Sequence, residues 1–273
     1  MSAPIAQKPA SPRPAVAGWT PSQLKPRAAA GRAESAGEPV SAAPAAPTEQ
    51  LYAKRFGRAK KRHNVREYTL GEEVANAVSH GIGALLAIAA LPILIVTAVG
   101  HGGGVHLFAA LVYGITMLVE YVMSTLYHAL AADRAKRVFK VLDHSCIYLF
   151  IAGSYTPFCL ISLSHTGGVP LALFVWAVAL VGVACEAFWV FRPRWVSAVL
   201  YLLMGWCVVA FLPALIAAMP LPALVLLAAG GLCYTVGCVF YVLKKVRYMH
   251  TVFHIWVLAG SVLQFLAIVL FVL

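Results

Sequence analysis

The chain is 273 residues long, 61% apolar and only 11% charged, yet it carries a formal net charge of +11. An ordinary soluble domain is about 45–50% apolar and about 25% charged, so this composition cannot cover a water-exposed globule and specifies an integral membrane protein. It also excludes reading the basic excess as a nucleic-acid surface, which needs cations clustered on one solvated face.

In chain order, residues 1–50 come first, with 14 Ala and 9 Pro and no apolar periodicity; such a segment is expected to be disordered. No apolar stretch of signal-peptide length follows Met1, so a secretory leader is not expected. The basic run Lys54, Arg55, Arg58, Lys60, Lys61, Arg62 and Arg66 completes a tail of residues 1–66. It reads either as a contact to anionic headgroups or as a solvated flank that fixes topology. Residues 67–273 then form the membrane domain.

Apolar stretches fall near 74–99, 105–130, 141–163, 169–190, 196–218, 221–243 and 250–272. Each approaches the roughly 20 residues that cross about 30 Å of hydrocarbon as a helix, and in lipid the backbone must be paired internally. The reading is therefore all-α, a bundle of seven transmembrane helices. Gly102-Gly103-Gly104, Gly167-Gly168, Arg192-Pro193-Arg194 and Pro220-Leu221-Pro222 punctuate it. All 21 Lys and Arg fall in the tail or in the connections after the second, fourth and sixth stretches. Under the positive-inside rule the N-terminus is cytoplasmic and the C-terminus outside, most simply in a bacterial inner membrane. On this reading the net charge is a topology signal rather than a binding surface.

Ionisable side chains inside spanning helices are costly and mark function by default. Glu73, Asn76 and His80 share one face of the first helix, and Glu120, Ser124 and His128 one face of the second. Asp143 opens the third stretch beside His144, and His250 and His254 are four apart in the seventh, as in helical zinc sites. The topology brings His128, Asp143, His250 and His254 to one membrane layer. Three neutral imidazoles make a zinc site with an open fourth position. The pair alone reads equally as carbonyl or headgroup hydrogen bonding. His101, His106 and His165 are assigned no role, His63 is read as solvated, and the six Cys, with no C-x-x-C pair, read as packing.

The strings Glu73-x-x-Asn76-x-x-x-His80-Gly-Ile-Gly, Ser124-Thr-Leu-Tyr-His128, Asp143-His-Ser-x-Ile-Tyr, Ile151-Ala-Gly-Ser-Tyr-Thr-Pro-Phe158, Tyr201-Leu-Leu-Met-Gly-Trp206 and His250-Thr-Val-Phe-His254 resemble the hemolysin III family. That family is the bacterial branch of the progestin and adipoQ receptors, related to alkaline ceramidases. The resemblance runs from about Gly71 to the C-terminus. It implies that His128, His250 and His254 bind zinc, that Asp143 holds the zinc-bound water, and that Glu73, Asn76 and His80 are structural or gating. Glu120 lies outside the motif; it reads as a charge added to the site, a partner for His80, or a deeper hydrogen bond within the bundle.

The activity expected is zinc-assisted hydrolysis of a lipid amide or ester, with Asp143 taking a proton from water and Ser124 bonding the water or the oxyanion. Membrane lipids are the expected partners, as substrate or ligand. The alternatives are a non-enzymatic receptor-like or membrane-homeostasis protein with structural zinc, and, less supported, a pore-forming cytolysin.

Overall fold

In the computed structural model, residues 67–243 and 246–273 are described. The expected disordered tail, the basic flank, Lys244 and Lys245 lie outside them. The described residues contain seven helices long and apolar enough to cross a membrane. They are α1 (Leu70–His101), α2 (Gly104–Ala129), α3 (Asp133–Ser162), α4 (Gly168–Trp189), α5 (Arg194–Ala218), α6 (Leu221–Val242) and α7 (Met249–Phe271). No strand occurs among these residues.

The breaks have local causes. Pro157 cannot donate to the helix ladder, and α3 widens just after it into a π-helical turn, Phe158–Ser162. Within α5 the chain tightens to a 3-10 turn at Cys207–Phe211, just before Pro213 at the start of the next α-helical segment. Gly167, at φ 92°, supplies the left-handed residue that lets α4 begin immediately behind α3.

Pairwise packing closes a ring in the order α1, α2, α3, α5, α6, α7 and back to α1, with α4 laid against α3. Small residues admit large rings at the contacts. A Cβ on Gly83 would fall 2.4 Å from the Tyr121 ring, and one on Gly182 would fall 2.6 Å from Tyr148. Tyr113, Tyr121, Leu94 and Val175 are wholly enclosed, whereas Leu85, Val96, Leu173, Val181, Leu203 and Phe188 stand exposed on the outer surface. An apolar exterior around a core of tyrosines and polar groups inverts the soluble pattern and is that of a bundle solvated by lipid.

One boundary differs instructively from the sequence reading. The third helix does not begin near residue 141; it starts at Asp133, so Asp143 lies about three turns inside it. Lys136 and Lys140, read as loop residues from their charge, are helical and only 3% and 5% exposed. Their charges are met by carboxylates from elsewhere in the chain, which hydropathy along a single stretch does not register.

Candidate metal centre

The centre begins with how α1 and α7 are held at the end of the bundle where the basic residues gather. Thr69 caps α1 in a reciprocal capping box, its hydroxyl accepting from the Glu72 amide and the Glu72 carboxylate accepting from the Thr69 amide at 2.9 Å. The other Glu72 oxygen accepts the Tyr248 amide at 3.0 Å. Tyr248 precedes α7 in a left-handed conformation, φ 61°, so this carboxylate clamps the turn that sets the register of His250 and His254.

One ring nitrogen from each of His128, His250 and His254 lies within 4.8 Å of the others, and all three side chains are buried. Each ring is steered from behind. His128 Nδ1 donates to Glu73 Oε2 at 2.7 Å, and the other Glu73 oxygen takes an ammonium proton of Lys136 at 2.7 Å. That bond fixes the tautomer, leaving His128 Nε2 as a buried lone pair with no partner. His254 Nδ1 donates toward Ser79 Oγ at 2.9 Å and the Asn76 carbonyl at 3.3 Å, which frees its Nε2 in the same way. Tyr68 stacks on His250 with ring centroids 5.0 Å apart, and His250 Nδ1 is buried without a partner. Imidazole nitrogens that converge in a buried cluster, with the opposite nitrogens of His128 and His254 pinned, are the donor set of a metal site. The residues fit such an ion.

Asp143 enters from α3, 3.1 Å from His144 Nδ1, with Ser124 within hydrogen-bonding reach and His128 and His254 in electrostatic range. The structure thus gathers His128, His250, His254, Asp143 and Ser124 from α2, α3 and α7. Asn76 also accepts a 2.6 Å hydrogen bond from Thr251 on α7. His80 stacks on His254 at 3.5 Å between centroids, and neither of its nitrogens has a partner. It does not pair with Glu120, whose Oε2 is buried and likewise unpartnered; Glu120 sits deeper in the bundle, within electrostatic range of Asp143.

Sequence reasoning missed the direct Glu73–His128 contact, Lys136 and Ser79. It also missed Glu186, wholly buried in α4 and paired with Arg192. A charged residue in an otherwise apolar span was the available signal for Glu186. For Lys136 there was none, because its burial is explained by Glu73 of α1 and the Tyr127 carbonyl of α2, which packing alone brings to it.

Beside the centre opens a cavity of about 650 Å³, with His250 in its wall together with Glu67, Tyr68, Lys140, Arg192, Arg194 and Tyr241. Glu67 bridges two helices, accepting from Lys140 on α3 and from Arg194 on α5, the latter at 2.7 Å. Burial opposes its ionisation, but the two cations prevail and hold its carboxyl down at about 2, from an ordinary 4.5. A depressed carboxyl stabilises the fold while ionised, and that contribution drains away as pH falls from about 4.5 through about 2. Glu67→Gln should therefore lower the thermal midpoint at neutral pH by an amount equivalent to about 2 kcal/mol. Melting curves of the two proteins should converge in acid; a constant gap down to about pH 2 would contradict the bridge.

Fold and centre together define a class, that of seven-helix integral membrane proteins whose bundle encloses a histidine cluster able to hold a metal. The chain belongs to the haemolysin-III-related family, which matches residues 68–265. It is 39% identical over 204 residues to the Hemolysin-3 homolog of Bacillus subtilis (strain 168), covering 75% of this chain and 96% of that protein. It is 40% identical over 202 residues to Hemolysin-3 of Bacillus cereus, covering 74% and 92%. A more distant likeness, 29% over 171 residues, covers 58% of this chain and 68% of the Monocyte to macrophage differentiation factor of Homo sapiens. The resemblance read from the motifs is confirmed.

Proposed function

We propose that this protein is a zinc-dependent lipid hydrolase of the inner membrane, cleaving an amide or ester, with its N-terminus and its metal centre on the cytoplasmic side. The observation that carries the reading is the convergence of three buried imidazoles with a carboxylate–hydroxyl pair, Asp143 and Ser124, beside a cavity that His250 lines, inside a lipid-facing bundle. His128, His250 and His254 would hold the ion. Bound there, zinc supplies Lewis acidity, polarising a carbonyl and lowering the pKa of water toward neutrality.

The remaining chemistry belongs to the chain. A carboxylate oxygen of Asp143 accepts the proton of the attacking water as its oxygen bonds to the carbonyl carbon. The same carboxyl then returns that proton to the nitrogen or oxygen that leaves as the amide or ester bond breaks. Ser124 Oγ orients the carboxylate or donates to the oxygen that gains charge. Glu73, held by Lys136, keeps His128 in the one tautomer that presents Nε2.

The test is a panel of fluorescent ceramides, lysolipids and diacyl lipids offered to purified, zinc-loaded protein. Labelled fatty acid should be released from at least one class. No product from any, or product undiminished by His250→Ala, defeats the reading. A fall in melting temperature on chelation with no lipid consumed would favour the second reading, zinc as a clamp between α2 and α7, the two helices that carry the histidines.

A further inference from the structure

The basic residues around the cavity do more than mark topology. Lys140, Arg192 and Arg194 line it, together with Glu67, and the only other carboxylate engaging the three is Glu186, paired with Arg192 among the described residues. Among the described residues that line the cavity, three cations thus stand against one carboxylate, Glu67, while Glu186 and Asp143 lie behind the wall against Arg192 and His144. Arg192 is only 6% exposed, and its Nε–H is buried without a hydrogen-bond partner, although its Nη2 is satisfied by Glu186 and by Tyr148 at 3.1 Å. A buried guanidinium N–H left open is expensive unless something fills it. Lys140 gives one ammonium proton to Glu67, so further protons remain to donate. The wall also carries the aromatic rings of Tyr127, Phe191, Trp195 and Tyr241 together with Val190 and Val242, and offers apolar contact beside the charge.

We propose that this cavity is an anion site for a phosphodiester, seated between Lys140 and Arg192. Resting on the hydrolase reading, this makes the substrate class an anionic phosphodiester lipid whose acyl linkage is presented toward His250. A phosphodiester suits a lining in which three cations outnumber the one lining carboxylate. Its non-bridging oxygens are the acceptors that an open guanidinium N–H and an ammonium call for. A neutral lipid of the same acyl length would leave the Arg192 Nε–H unpaired.

Native mass spectrometry of the full-length protein in detergent tests this with phosphatidylglycerol, a diacylglycerol of matched chains, and soluble glycerophosphoglycerol. Phosphatidylglycerol should bind about tenfold tighter than diacylglycerol, and Lys140→Gln should erase most of that preference. Arg192→Gln alone would strand Glu186 and risks unfolding, so the double variant Arg192→Gln/Glu186→Gln serves as the second probe and should erase it as well. Weak competition by glycerophosphoglycerol assigns the site to a lipid headgroup; competition at equal concentration upholds the anion site but with a soluble ester as its source. Equal binding of diacylglycerol, or a preference that survives in both variants, overturns the proposal. His128→Ala, outside the cavity wall, separates the two readings. It should lose metal and turnover yet keep the phosphodiester preference; in the zinc-loaded wild type, a preference without hydrolysis would remove the hydrolase reading and leave this one standing.

Discussion

Protein purified with zinc should carry about one ion per chain by elemental analysis, and His128→Ala, His250→Ala and His254→Ala should each lose nearly all of it. Zinc sites in small domains bind with about 10–16 kcal/mol in total, and removing one of three imidazoles forfeits a quarter to a third of that, on the order of a 10³-fold loss of affinity. Glu73→Gln should weaken binding by a smaller step, about 10–100-fold. It leaves all three imidazoles in place, but the amide no longer requires His128 Nδ1 to carry the proton. It also leaves the Lys136 ammonium, 2.7 Å away, without its carboxylate. The graded order, ligand loss above partner loss, is the signature of imidazoles that bind an ion. Equal zinc content in wild type and in all three alanine variants would overturn the centre.

The second large effect concerns Asp143. On the hydrolase reading, Asp143→Asn should reduce turnover of the responsive lipid by about 10²–10⁴-fold, the usual contribution of a positioned acid–base group, while zinc content stays at the wild-type level. Asparagine preserves the shape and a hydrogen bond to Ser124 but cannot accept the proton. Ser124→Ala should cost far less, about tenfold, because a hydroxyl that orients is more easily replaced by water than a base that titrates. Turnover retained in Asp143→Asn would remove Asp143 from the chemistry. Zinc lost together with turnover would show instead that the carboxylate supports the centre.

Much of this arrangement was legible along the chain. Apolar stretches of bilayer length gave all seven spans to within a few residues at most ends, because in hydrocarbon the backbone has no alternative to the helix. The i, i+4 spacing of His250 and His254 placed both rings on one side of α7, and the ordered alternation of spans brought His128 and Asp143 to their level. The element Glu73, Asn76 and His80 was visible as a polar face, though not what it faces. That face turns out to back the histidines: Glu73 on His128, the Asn76 carbonyl on His254, and the His80 ring stacked on His254.

The start of α3 was not legible, and its misplacement shows why. Lys136 and Lys140 interrupt the apolar pattern, and a charge next to a span reads as solvated loop. They are instead enclosed, one against Glu73 and the other against Glu67. The Glu67–Arg194 and Glu73–His128 contacts join positions 127 and 55 residues apart, separations at which no local periodicity operates. The same holds for Arg192, which looks like a helix-end topology marker in sequence and is a buried guanidinium with an open N–H in the fold.

Seven membrane-spanning helices, and the level that the histidines share in them, can be read from the chain alone, since helix length, apolarity and spacing are local properties, and the motif strings add the likeness to the haemolysin-III-related family. Packing between distant segments sets the tautomers of His128 and His254, pairs and buries the cations beside them, and opens a cavity lined by three cations onto His250. A charge excluded from water keeps its place only if its partner is present, and that partner is supplied by packing between distant segments.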